Sequence, residues 1–196
     1  AHARLLSVDT SAAAAMEGVL LVATQADLDA DKVGEIQCQH RLTNEDGEAM
    51  TMVSHPPMVS DVNRTAGDIV AVVIAETDSI AQDAMELIDA RYDSMPAVTD
   101  VYAAIEDGAP QLYDEYPRNI AFNWVEGDHV STNAAIAGAE AAGMELFDID
   151  VVNNRVIINS METRPMIAGP GEAEGSLDIW CGTQGPVGIA EQIADA

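Results

Sequence analysis

The run Ile69-Val70-Ala71-Val72-Val73-Ile74-Ala75 constrains this chain most. A continuous apolar stretch of that length, mostly β-branched, predicts a buried strand. Thr77-Asp78-Ser79 then supplies side chains able to cap a helix N-terminus. Ile80, Ala84, Leu87 and Ile88 recur at i, i+4, i+7 and i+8, one face of that helix. Residues 90–93 read as a return strand. Strand, helix and strand in this order predict a parallel crossover unit with a right-handed connection.

The flanking sequence extends a mixed α and β pattern. Residues 5–9 read as a strand, and Thr10 or Ser11 is placed to cap a short helix through the alanines that Gly18 stops. Residues 19–23 form a second apolar run and a second buried strand. Residues 25–65 lack periodicity. They carry Asp27, Asp29 and Asp31, a turn at Asn44-Glu45-Asp46-Gly47, and Pro56-Pro57, which predicts a long irregular connection with one hairpin. Pro96, Pro110 and Pro117 punctuate a linker that contains one helical turn at 101–105. Beyond it the pattern predicts a strand at 121–125, a helix at 131–142, and a long strand from Met144 into the 150s. A hairpin turning at 169–175 follows, its second arm Leu177-Asp178-Ile179-Trp180-Cys181. A last helix starts near Pro186, with Ile189 and Ile193 on one face, and Ala196 falls inside its pattern. The order gives two clusters, near 1–95 and 120–196, joined by 96–119.

Charge narrows the function. Among 196 residues, 34 are acidic and 8 basic, a formal net charge of −26. Nucleic acid and anionic lipid both need a basic face, so neither is an expected partner. No apolar run approaches the roughly 20 residues of a membrane span. The start Ala1-His2-Ala3-Arg4 has no apolar signal region, and Cys38 and Cys181 are too few for a disulfide framework. A cytoplasmic protein with free thiols is the expectation. Lys32 is the one lysine, and the acids are dispersed rather than blocked together. That balance points to adaptation to high salt, which screens like-charge repulsion. Aromatic residues are only 4%, so the core must rest on Val, Ile, Leu, Met and Ala.

The common catalytic patterns G-x-S-x-G, G-x-x-x-x-G-K-[ST] and G-x-G-x-x-G are absent. Cys38, His40 and His55 are soft ligands without a fourth partner, so no metal site is expected. His2 and His129 stand beside polar residues and are expected at the surface, and Cys181 in its strand as a small core residue. Met50, Met52 and Met58 are expected to fill packing gaps. Asp114-Glu115 resembles an acid/base couple only in composition, since such pairs arise by chance in so acidic a chain. Thr183-Gln184-Gly185-Pro186 joins a strand to a helix, where a Gln amide can face an anionic or oxo ligand beside helix N–H groups. Composition alone makes it a turn.

The order of motifs is similar to the large, molybdenum-bearing subunit of the xanthine dehydrogenase, aldehyde oxidase and aerobic carbon monoxide dehydrogenase family. Val8-Asp9-Thr10-Ser11-Ala12, Glu17-Gly18-Val19 and Thr24-Gln25-Ala26-Asp27-Leu28, with the opening Ala1-His2-Ala3-Arg4, resemble the start of that family's α/β hammerhead domain. Gly67 through Thr77 resembles its central strand, and Ala81 through Val98 the helix, strand and exit that follow. Val152-Asn153-Asn154-Arg155, Ser160-Met161-Glu162-Thr163-Arg164 and Thr183-Gln184 resemble the opening of the molybdenum-cofactor-binding region.

The resemblance implies an α+β chain: a hammerhead domain over 1–95, a linker over 96–119, and the first portion of a mixed α+β cofactor-binding domain over 120–196. It implies oxidation of an aldehyde, an N-heterocycle or CO with oxygen from water, on molybdenum held by a pterin dithiolene. It further implies [2Fe–2S] clusters and FAD on partner domains or subunits, together with the remainder of the molybdenum subunit. One residue carries across: the Gln of the Thr-Gln pair, here Gln184, lies beside an oxo ligand of the metal in the family. Gly185 stands where the family usually has Asn or a similar residue, and Thr163 where Pro is common. The family's catalytic glutamate and glycine-rich cofactor loops have no counterpart in these residues, so part of a larger subunit is expected. A non-catalytic hammerhead-like module that only binds partner subunits is the rival reading, and an unrelated salt-adapted domain the third.

Overall fold

The computed structural model describes residues 2–35, 38, 40–53, 55–153, 161 and 165–196. It is an α+β structure of two compact units, Ala1–Val125 with Glu191–Ala196, and Glu126–Ala190.

In the first unit, β1 (Ala3–Asp9) leads into the short helix α1 (Ser11–Ala14), then β2 (Val19–Thr24) and α2 (Gln25–Asp31). After a long connection come β3 (Val62–Asn63), β4 (Ala71–Ala75), α3 (Asp78–Glu86), β5 (Asp89–Ser94) and α4 (Val101–Ala104). Thr77 caps α3 as its sequence predicts, its Oγ1 accepting from the Ile80 N–H at 3.3 Å. The turn into α1 is held differently from expectation: the Asp9 carboxylate, rather than Thr10, accepts from the Ser11 N–H at 2.9 Å. α1 ends at Ala14 with Ala15 as its C-cap, and Gly18 turns the chain into β2 with φ +83°, where a Cβ would lie 2.7 Å from Ile80 Cδ1. The positive φ is what favours a residue without a side chain here, since the Ile80 methyl end can shift aside.

The strands do not form the parallel crossover that their order predicts. β4 pairs antiparallel with β2, through Leu21↔Ile74, Val22↔Val73 and Ala23↔Val72. β5 pairs antiparallel with β1, through Leu5↔Tyr92 and Val8↔Ala90, and β3 closes the other edge of β1. Helix α3 therefore carries the chain from one sheet to another. The order of elements does not decide which edges are open; β1 and β2 each offer one, and antiparallel pairing is slightly the more stable per residue.

The stretch 25–65 is more regular than its sequence implies. Thr24 and Asp27 close the entrance of α2, the Asp27 carboxylate accepting from the Thr24 N–H at 2.7 Å and its hydroxyl at 2.8 Å. Gln25 is buried and bridges outward: Nε2 donates to Asp29 Oδ1, and Oε1 accepts from the Met58 N–H at 2.9 Å. The expected hairpin reduces to a single bridge, Thr43↔Ala49, around the turn at Gly47. Among the described residues the buried apolar side chains are small or flexible: Ala3, Ala13, Met58 and Ala84. His2 is buried rather than exposed, because Nδ1 donates to the Pro96 carbonyl at 2.6 Å and its own carbonyl accepts from Met95 N–H.

Residues 96–125 pack within this first unit. Asn119 accepts from the Leu112 N–H and donates to the Ala104 and Pro110 carbonyls. Arg64 donates from Nε to the Leu112 carbonyl at 2.7 Å and lies 4.1 Å over the Tyr113 ring. The strand expected at 121–125 is absent; instead the Asn123 N–H donates to Asn44 Oδ1, its carbonyl accepts from the Glu45 N–H, and its Nδ2 donates to Glu45 Oε2.

In the second unit, α5 (His129–Ala141) is capped by Asp128, which accepts from the Ser131 N–H at 2.9 Å and hydroxyl at 2.6 Å. These bonds hold the Asp128 carboxyl below the usual carboxylate range. β6 (Met166–Pro170) and β7 (Leu177–Cys181) form the expected hairpin, with Ile167 opposite Trp180. Helix α6 (Pro186–Asp195) begins in this unit, and its residues from Glu191 onward belong to the first. The long strand expected from Met144 is not formed over 144–153, and its continuation at 154–160 lies outside the described residues. A strand needs a neighbour for its N–H and C=O groups, and among the described residues none is paired with this stretch. The stretches Asn154-Arg155, Ser160 and Glu162-Thr163-Arg164 likewise lie outside the described residues.

Candidate functional site

The turn that carries Gln184 is built from its two flanking elements. β7 is fixed by its register with β6, from Met166↔Cys181 to Pro170↔Leu177. Ile179 and Cys181 are half-buried while Trp180 is exposed. After Gly182 the backbone turns, and the half-buried Thr183 accepts through Oγ1 from the Gly185 N–H at 3.1 Å. The first helical bond of α6 runs from the Ile189 N–H to the Gly185 carbonyl, so Gly185 is the residue that opens the helix. Pro186 follows at the first helical position, where its missing N–H costs nothing. Gln184 sits between, exposed, and its carboxamide makes no hydrogen bond to another described residue. The side chain thus presents a neutral donor and acceptor at a strand end, beside the N-terminal turn of a helix, whose first N–H groups lack intrahelical partners.

The other sequence candidates do not converge. Cys38 is exposed and bonds through Sγ to the His40 carbonyl at 3.2 Å. Among the described residues, no three or more His, Cys, Asp or Glu side chains come together as a metal site. Met58 is buried, Met50 half-buried and Met52 exposed. Asp114 and Glu115 are exposed, as is His129 in the first turn of α5.

One feature is not evident from the sequence. A cleft of about 440 Å³ in the first unit is lined by His55, Arg64, Asp68, Tyr113 and Glu115, among others. Burial pushes the Asp68 carboxyl upward, but the Thr65 and Arg64 N–H groups, the Thr65 hydroxyl and the nearby His55 charge outweigh it and hold it below its ordinary range. The visible signal is the spacing of Thr65 and Asp68, a carboxylate folding back on a turn. The distant partner Tyr113 leaves no local trace in sequence.

Two successive family matches cover nearly all of this chain. Residues 1–96 match the family described as aldehyde oxidase and xanthine dehydrogenase, a/b hammerhead domain, and residues 112–196 match the molybdopterin cofactor-binding domain. The chain belongs to the aldehyde oxidase and xanthine dehydrogenase family, and molybdopterin is the cofactor of the second of these domains. It is 29% identical to the carbon monoxide dehydrogenase large chain of Afipia carboxidovorans, over 95% of this chain and 23% of that protein. It is 34% identical to the nicotine 6-hydroxylase large subunit of Paenarthrobacter nicotinovorans, over 95% of this chain and 21% of that protein. The reconstituted CO dehydrogenase from Oligotropha carboxidovorans superposes with TM-score 0.70 at 26% identity, over 98% of this chain and 24% of that one. The chain thus spans under a quarter of the length of the relatives it matches.

The residues present fit the cofactor at one point. An unpartnered, uncharged carboxamide suits an oxo group, to which it can donate without adding charge.

Proposed function

We propose that this chain forms the hammerhead domain, over 1–95, and the opening of the molybdenum-cofactor-binding domain, over 120–196, of a molybdenum hydroxylase large subunit. Residues 96–119 connect the two. The subunit oxidises an aldehyde, an N-heterocycle or CO, taking oxygen from water and passing electrons to [2Fe–2S] clusters and FAD on partner subunits in the cytoplasm. The observation that carries the reading is the succession of the two family matches in one chain, with Gln184 exposed at the strand end inside the second. The free thiols Cys38 and Cys181 agree with a reducing compartment. No described helix is long and apolar enough to cross a membrane. A purely partner-binding hammerhead module has less support, because the second match extends over 112–196.

When bound, the molybdenum–pterin group supplies the two-electron redox chemistry. The part of Gln184 is to donate its Nε2–H toward an oxo group of that cofactor. Loss of one donor to a group on which charge develops costs on the order of 10²-fold in turnover. The test is Gln184→Ala in the assembled, molybdenum-loaded enzyme, assayed on an aldehyde, an N-heterocycle and CO. Turnover should fall about 10²-fold while stability stays within about 0.5 kcal/mol, as for a surface substitution. Unchanged turnover with full molybdenum content refutes the assignment, and an unfolded variant makes the residue structural.

A further inference from the structure

The Gln184 turn contains a second polar group with a definite task. Gln184 projects from a turn whose closing residue, Gly185, has no side chain, and a Cβ at 185 would meet nothing within 4 Å. Neither steric contact nor a capping side chain at 185 therefore restrains the backbone on that side. Glycine is also the residue that loses most conformational freedom when it is ordered. Two bonds hold Gly185: its carbonyl accepts the first helical bond from the Ile189 N–H, and its N–H donates to Thr183 Oγ1 at 3.1 Å, the one bond of the two that spans Gln184 and closes the backbone around it. Thr183 is anchored in turn: it is half-buried, and it lies two residues beyond the paired end of β7 at Cys181.

We infer that Thr183 is a positioning residue, whose hydroxyl oxygen holds the Gln184 backbone so that its amide points one way, toward the cofactor's oxo group. The inference rests on the reading of Gln184 proposed above. Thr183 itself touches neither cofactor nor substrate; it acts by limiting the arc through which the Gln184 side chain can swing. The β-branched Thr serves this better than an unbranched residue, since its χ1 is held to few rotamers and the acceptor stays in place.

The experiment uses the holoenzyme that contains this chain, with Thr183→Val, Thr183→Ala, Thr183→Ser and Gln184→Ala. Turnover, molybdenum content and the Mo(V) electron paramagnetic resonance spectrum of the reduced enzyme are recorded for each. Val and Ala remove the acceptor, and Ala does so without adding bulk. Both should keep their molybdenum, lose about 10-fold in turnover, and shift the Mo(V) spectrum in the direction of Gln184→Ala. Small misplacement of a catalytic contact can cost up to about 10²-fold, so a partial loss is the expected size. Thr183→Ser, which keeps the oxygen, should restore both turnover and spectrum. If Gln184→Ala changes the spectrum but Val and Ala do not, Thr183 has no positioning role and the Gln184 reading stands. If Gln184→Ala itself leaves spectrum and turnover untouched, the underlying reading is what fails. Failure of both Val and Ala to fold makes Thr183 a structural residue, and failure of Ser to rescue removes the hydroxyl from the explanation; either overturns the inference.

Discussion

Apolar stretches in the two units end differently. Leu21 and Ala23 on β2 and Val72 and Ile74 on β4 lie opposite one another in an antiparallel pair, and Val72 and Ile74 remain 41% and 48% exposed. Residues 144–153 also carry apolar side chains, at Met144, Leu146, Phe147, Ile149, Val151 and Val152, yet Phe147 and Ile149 are 79% and 78% exposed and no strand forms. The helices differ likewise. The nine-residue α3 buries Ala84 completely and packs on β4, β2 and α1, while the thirteen-residue α5 buries nothing. Periodicity is a capacity for pairing, and it is realised only where a partner strand is at hand.

Substitutions in the two units sharpen this contrast. The largest effect should come from Ala84→Leu. With Ala84 fully buried, the added carbons must displace neighbours, at a cost of about 1–3 kcal/mol. Thermal or urea unfolding measures it, and a loss below about 0.5 kcal/mol would show that the α3 contact is looser than its burial implies. Asp68→Asn should come next, at about 1 kcal/mol near neutral pH, since it weakens hydrogen bonds of a mostly solvated carboxylate. The sign in acid follows from the depressed carboxyl. Its contribution is complete above the ordinary 3.8 and is lost as pH falls through the lower folded value. Wild type should therefore lose stability more steeply than Asp68→Asn below about pH 4, as acid titration of the unfolding midpoint would register. The smallest effect should come from Phe147→Ser, within about 0.5 kcal/mol despite the loss of a large apolar side chain, because that chain is exposed. A cost like that of Ala84→Leu would mean that residues 144–153 are packed after all.

Local chemistry was legible in the sequence, and long-range pairing was not. Thr77 before α3, Gly18 after α1 and the turn at 169–175 each act on neighbours a few residues away, and each stands where it was expected. α2 was hidden because Asp27, Asp29 and Asp31 mask any apolar face, although Thr24 and Asp27 carry the capping spacing. His2 reads as polar and exposed, but its burial depends on Pro96, at the far end of the domain sequence. The crossover failed for the same reason: edges offered by β1 and β2 lie some fifty residues or more upstream of their partners. At the candidate site, Gln184 was reached through family likeness, whereas the bond from Gly185 to Thr183 required a geometry that composition treats as any turn.

The bolt formed by Arg64, Tyr113 and Asn119 bears on where this chain may be cut. Prolines at 96, 110 and 117 invite a protein engineer to end the first domain near residue 96. Doing so would strip Arg64 of its Leu112 acceptor and its aromatic partner, and would expose one wall of the cleft. An excised domain that keeps its arm through residue 125 retains the whole clasp, so the useful scissors point is a few turns of chain later than the punctuation advertises.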